Sequence, residues 1–215
     1  MWETFKKKTS PLKQRWQALH RLDNKKQRRV NIATVILSPI LAFYLTEFFL
    51  QMPWDIRLPI QFMNSLIYGA LGALLLGLTG RLERASKLLF AIAYGLGCLN
   101  YQTLFFSSHP ITAGDLLSIK TAVGVSGSYK LILNANVWRA TLAFIILFIG
   151  TGWAKYEIPK KKASRRALAA VSAMVFVLGG VFSTSRVAEK TLGISTARLE
   201  NRENVSRNGF VLNFL

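Results

Sequence analysis

The side chains able to carry chemistry are few and far apart. His20 and His109 are the only imidazoles and Cys98 the only thiol in 215 residues, so the chain can close no internal disulfide and offers no metal-ligand cluster. No glycine-rich phosphate loop, GxSxG elbow or HExxH pair occurs. The groups that remain are suited to recognition. His109 and Asp115 stand on either side of the Pro110 break, and Arg198, Arg202 and Arg207 punctuate the last twenty residues. Guanidinium forks match phosphate oxygens, so the three arginines are candidates for contact with a lipid headgroup or a neighbouring domain, and His109 and Asp115 are candidates for contact at the same outer face. The alternative for each arginine is a solvated linker charge. No catalytic, cofactor-binding or metal-ligating residue is assigned within the chain.

The elements that must position these groups are five long apolar runs: Asn31 to Met52, Pro59 to Thr79, Leu88 to Ser107, Trp138 to Ala154 and Ala167 to Ser183. A helix rises about 1.5 Å per residue, so about 20 residues cross a hydrocarbon layer of about 30 Å. Five such runs in succession predict an all-α integral membrane bundle of five transmembrane helices rather than a soluble core. The spans are expected to carry no acidic residue, which argues against ion-coupled transport because such transport needs a buried ionisable group. The first run is too long for a signal peptide and ends in Gln51, Met52 and Pro53 rather than a small-residue cleavage site, so it reads as a retained anchor.

The basic residues fix the orientation. Ten precede the first run, three (Arg81, Arg84, Lys87) follow the second, and six (Lys155, Lys160, Lys161, Lys162, Arg165, Arg166) follow the fourth, out of 28 in all. On the other side only Arg57, Lys120 and Lys130 occupy the two gaps, with Arg139 at the start of the fourth run. Lys and Arg in short loops stay cytoplasmic, so the N-terminus is predicted inside and the C-terminus outside. A net charge of +18 would suggest nucleic acid as partner of a soluble protein. Here the charges flank spans and face the anionic inner leaflet, so no nucleic-acid partner is implied. Within residues 1–29, Leu12, Trp16, Leu19 and Leu22 share one helical face, the pattern of a helix lying on the inner membrane surface; a disordered basic tail is the alternative. Residues 30–184 form the membrane module and 185–215 a juxtamembrane linker.

Small residues recur at packing intervals, Gly69 with Ala73 and Ala93 with Gly97, as close helix approach requires. Asn100, Tyr101 and Gln102 need partners in the bundle or at its outer interface, or else line a shallow outward cavity. Between spans three and four, Pro110 stops one helix and Thr112 or Asp115 can cap the next. Leu116, Leu117, Ile119 and Val123 then give an apolar face, which predicts a short interfacial helix.

Three stretches of the chain carry a resemblance. Pro110-Ile-x-x-x-Asp-Leu-Leu117, Val125-Ser-Gly-Ser-Tyr129 and the closing Asn208-Gly-Phe-Val-Leu-Asn-Phe-Leu215 resemble the membrane region of lipoteichoic acid synthase-like proteins, bacterial phosphoglycerol transferases of the sulfatase and alkaline phosphatase superfamily. The resemblance implies a five-span module in the cell membrane ahead of an extracytoplasmic catalytic domain, which would begin where this chain stops. It implies phosphatidylglycerol as the lipid at the outer face and, in that absent domain, a threonine nucleophile with a manganese ion. Relatives carry an Arg-Gly-Thr-like lead before the proline, whereas this chain has Ser107, Ser108 and His109, so no phosphate contact is assigned to an arginine there. The function this implies is that of an anchoring and positioning module, catalytically inert alone. The rival expectation is a self-sufficient small membrane protein, either a transporter subunit or an accessory factor of envelope assembly.

Overall fold

Five helices form in the computed structural model, which describes residues 24–50, 53–107, 111, 132–158 and 162–183. They are α1 (Asn24–Glu47), α2 (Leu58–Thr79), α3 (Leu82–Ser107), α4 (Ala135–Gly150) and α5 (Lys162–Ser183). Single 3-10 turns cover Pro53–Asp55 and Thr151–Trp153. The stretches Asn24–Glu47, Leu58–Thr79, Leu82–Phe105 and Ala135–Trp153 are long and apolar enough to cross a membrane.

Local chemistry sets the helix ends. Pro59 sits in the first turn of α2, where its missing N–H costs nothing. Gly80 closes that helix at φ 70°, a left-handed cap that a Cβ would strain, and its N–H donates to Leu76 O at 2.8 Å. Asn134 caps α4, its side-chain oxygen accepting from Asn136 N at 3.1 Å and Val137 N at 3.2 Å. Within α1, Pro39 withholds an amide from the turn before it. That helix starts seven residues ahead of the first apolar run and stops at Glu47, where Leu50 N turns back to donate to Glu47 O at 2.9 Å.

The helix α2 lies at the centre, packed by α1, α3 and α5, while α4 packs on α3. Because successive helices turn back on themselves, α1 and α3 run parallel: Thr46 meets Ala93, and Gly97 lies against Phe49. The helix α5 runs antiparallel along α2, with Ala169 against Gly77 and Gly179 against Ile67. Phe43, Leu45, Phe49, Ile60, Ile67, Tyr68, Leu89 and Phe90 fill the core. Outward-facing Ile36, Phe62, Leu78, Leu142, Ile146 and Val177 are each more than half exposed, the surface expected of a protein whose solvent is lipid.

This arrangement gathers basic residues from three separate segments at one end of the bundle. There the start of α1, the α2–α3 turn, and the α4–α5 connection are stitched together. Leu82 N donates to Tyr156 O and Ile158 N to Gly80 O, both at 2.9 Å, and Arg81 Nε pairs with Glu157 at 2.8 Å. Gln27 Nε2 donates to Trp153 O at 2.8 Å, and Asn31 accepts from Lys155 N at 3.0 Å. Arg165 donates to the carbonyls of Gly77 and Leu78, placing a cation at the negative end of α2. The expected interfacial helix between spans three and four, and the amphipathic arm at residues 1–23, lie outside the described residues except for Ile111.

Gly97, of the Ala93 and Gly97 pair, contrasts with nearby Gly95. A Cβ on Gly97 would come within 2.6 Å of the Phe49 ring and 3.0 Å of Thr46 O, whereas one on Gly95 would meet nothing within 4 Å. Gly97→Ala is therefore expected to cost about 1–3 kcal/mol and Gly95→Ala nothing, read as shifts in unfolding midpoint in mixed detergent micelles.

Candidate functional site

Opposite the basic end, the described polar side chains converge in two layers. The inner layer is built on α1 and α2. Gln61, Asn64 and Tyr68 recur at spacings of three and four, which puts them on one face of α2 turned toward the end of α1. There they meet Tyr44, Thr46 and Glu47. Tyr44 OH donates to Gln61 Oε1 at 3.0 Å, and Gln61 Nε2 donates to Ile56 O at 2.6 Å. The Thr46 hydroxyl shares a short hydrogen bond with Tyr68 OH and lies 3.0 Å from Ala42 O and 3.3 Å from Ala93 O. Asn64 Nδ2 donates to Ile60 O at 2.9 Å. Asn64 and Glu47 are both fully buried, and Glu47 lies close enough to Tyr68 to act on it electrostatically.

Glu47 corrects the expectation that the spans hold no acidic residue. It falls inside the first apolar run, and the structure buries it completely at the last residue of α1. The physical reason is local: a single carboxylate among Phe, Leu and Thr barely lowers the hydropathy of a twenty-residue window, yet the chain turns immediately after it and folds it under the α2 polar face. The signal was present in the sequence as a lone acid within a long apolar run, a pattern that marks function in membrane proteins by default. Gln61, Asn64 and Tyr68 were also missed, although their helical spacing was legible.

The outer layer fastens connections to helices. Asn100 is buried and its Oδ1 accepts from Ile111 N at 3.1 Å. Gln102 holds the backbone of Ile132 at both groups, donating to its carbonyl at 3.1 Å and accepting from its N–H at 3.2 Å. Asn134 donates to Tyr101 OH as well as capping α4. Asn136 Nδ2 donates to Phe49 O at 3.4 Å, and Arg139 Nη2 donates to Phe48 O at 3.0 Å with its guanidinium 5.7 Å from the Phe48 ring. Arg139 Nε is buried with no hydrogen-bond partner among the described residues. Asn100, Tyr101 and Gln102 thus find their partners inside the bundle rather than lining an open cavity.

The sequence-predicted contact residues His109, Asp115, Arg198, Arg202 and Arg207 all lie outside the described residues, so the structure neither brings them together nor separates them. Among the described residues no three His, Cys, Asp or Glu side chains come together. They do not fit the manganese ion that the resemblance implies for a catalytic domain, and no step is routed through one.

Chemically, this is a site of hydroxyls, amides, one guanidinium and one carboxylate. It can hold backbone and polar groups in fixed places. No protein-family model matches the chain, and neither does any curated protein or solved structure compared with it.

Because Thr46 and Tyr68 satisfy each other inside the bundle, Tyr68→Phe is expected to lower stability by about 0.6–2 kcal/mol in a detergent-unfolding titration. Asn134→Ala, which removes both a helix cap and the partner of Tyr101, is expected to cost a similar or larger amount, about 1–2 kcal/mol.

Proposed function

We propose that this chain is the membrane anchor and positioning module of a lipoteichoic acid synthase-like phosphoglycerol transferase. On this reading α5 is a fifth span, the basic end faces the cytoplasm and its anionic leaflet, and the opposite end faces outward in a bacterial cell membrane. The segment between spans three and four forms the interfacial helix. His109, Asp115, Arg198, Arg202 and Arg207 meet phosphatidylglycerol headgroups or an extracytoplasmic catalytic domain that continues the chain.

The observation that carries the proposal is the outer layer of hydrogen bonds. Asn100, Gln102, Asn134, Asn136 and Arg139 spend their polar atoms on the backbone at Ile111, Ile132, Phe48 and Phe49 and on their own helix. Any spanning bundle must pair such backbone groups within itself. One that must hold a domain at a set height and angle over the leaflet needs a stiff outer end, since loosely held groups lose positional advantage rapidly. The local resemblance at Pro110 to Leu117 and Asn208 to Leu215 supplies the family.

Two results test this. Reading the coding DNA past the Leu215 codon should reveal an open frame entering a domain with a threonine nucleophile and clustered Asp, Glu and His; a stop codon there would refute the proposal. The purified 215-residue chain in phosphatidylglycerol vesicles with manganese should release no diacylglycerol, and release would show that the module is not inert.

Glu47 favours a second reading, a self-sufficient transporter subunit or assembly factor in which a buried carboxylate serves a solute or proton. In proteoliposomes carrying a pH gradient, that reading requires flux that Glu47→Gln abolishes. The module reading expects no flux from either protein.

A further inference from the structure

In the half of the bundle nearer the basic end, α1, α2 and α3 do not close on one another. They leave a slot of about 240 Å³ lined by Ser38 and Pro39 of α1, Gly69, Gly72 and Ala73 of α2, and Ser86 of α3, among others. The small residues hold the walls back. Ser38 and Ser86 are 7% and 2% exposed, yet neither hydroxyl has a hydrogen-bond partner among the described residues. A serine in a membrane helix ordinarily donates to the carbonyl one turn earlier, as Ser172 does to Leu168 at 2.7 Å. Two buried serines line one slot with hydroxyls that do not do so and are not enclosed by protein, which leaves them open to an occupant, since hydrocarbon cannot satisfy them.

The two serines stand at one depth. Thr46 on α1 meets Ala93 on α3, the helices run parallel, and Ser38 and Ser86 each lie about two turns back toward the basic end. Ser86 lies about 6 Å along α3 from its start at Leu82 and two residues before the apolar run at Leu88, the level at which headgroups give way to hydrocarbon. Past that depth, Arg28 stands two turns before Val35 and three before Pro39, on the α1 face that lines the slot, and it has no ion pair among the described residues. Apolar walls, two hydroxyls at the ester level and an unpaired cation beyond them match one molecule in order.

We infer that this slot binds an anionic glycerophospholipid of the leaflet on the basic side, one acyl chain between α1, α2 and α3, its ester carbonyls accepting from Ser38 and Ser86, and its phosphate facing Arg28. The site is separate from the outer layer and does not rest on the module reading. Its effect would be to seal the gap between the three helices.

The probe is phosphatidylglycerol carrying a diazirine early in one acyl chain, doped into phosphatidylcholine vesicles holding the full chain, with crosslinks mapped by peptide mass spectrometry. Labelling of the slot peptides is expected to exceed that by the matching phosphatidylcholine probe by roughly fivefold. Ser86→Leu, which fills the slot, should remove that excess, and Ser38→Ala with Ser86→Ala, which cannot clash, should lower it severalfold. Labelling at Leu142 and Ile146 on α4 should not change. Equal labelling of the slot by both probes, or no preference for the slot over α4, would overturn the inference. So would oxidative crosslinking of Ser38→Cys chains to one another in a Cys98→Ala background, which would put a second copy in the slot.

Discussion

The Thr46 hydroxyl touches three helices. From the last turn of α1 it reaches Tyr68 on α2 and the Ala93 carbonyl on α3, and Gly97 lets Phe49 close over the same point. In hydrocarbon no water competes for these groups, so each must be answered within the bundle. That requirement sets the parallel register of α1 and α3, brings Glu47 under the Gln61, Asn64 and Tyr68 face, and leaves Phe48 and Phe49 carbonyls where Asn136 and Arg139 can reach them. Were Gly97 larger, α1 could not approach, and both polar layers would lose their partners together.

The two ends of the bundle are held by different physics. At the basic end the chain uses backbone pairing, with the Arg81–Glu157 bridge and Arg165 on α2 carbonyls; the Arg81 and Glu157 side chains are about half exposed, so their ion pair adds little to what the backbone bonds already do. At the opposite end, side-chain amides hold backbone groups of the connections. Asn100, Gln102, Asn134 and Asn136 pair without the desolvation cost of charges, and Arg139 alone answers a carbonyl, that of Phe48, as a charge. The contrast is why the outer end, and not the basic end, is proposed to position a further domain.

Much of the architecture was legible in the sequence, and its errors have physical causes. Each apolar run contains a helix, but hydropathy reports where hydrocarbon lies and not where hydrogen bonding stops. So α1 begins at Asn24 among lysines and arginines, and α3 begins at Leu82 although its apolar run starts at Leu88. Long basic side chains extend a helix into the headgroup region at no loss. The first run overreached to Met52 because Phe48, Phe49 and Leu50 are apolar while the chain is already turning. Among the described residues, Arg28, Arg29, Arg81, Arg84, Lys87, Lys155, Arg165 and Arg166 lie at one end of the bundle, as alternate short connections require. The candidate site was largely not legible: His109, Asp115 and the three tail arginines stood out by type, whereas Glu47, Gln61, Asn64 and Asn134 matter through tertiary neighbours that single-residue patterns do not reveal.

The most direct test is the sidedness of the two ends. Trp54→Cys and Lys155→Cys, each in a Cys98→Ser background, can be exposed in intact cells to a membrane-impermeant maleimide; both native side chains belong to connections at opposite ends, and Trp54 is 60% exposed. Expected is labelling of Trp54→Cys from outside and of Lys155→Cys only after permeabilisation. The reverse pattern, or labelling of both from one side, would contradict an outward-facing platform and with it the proposed role.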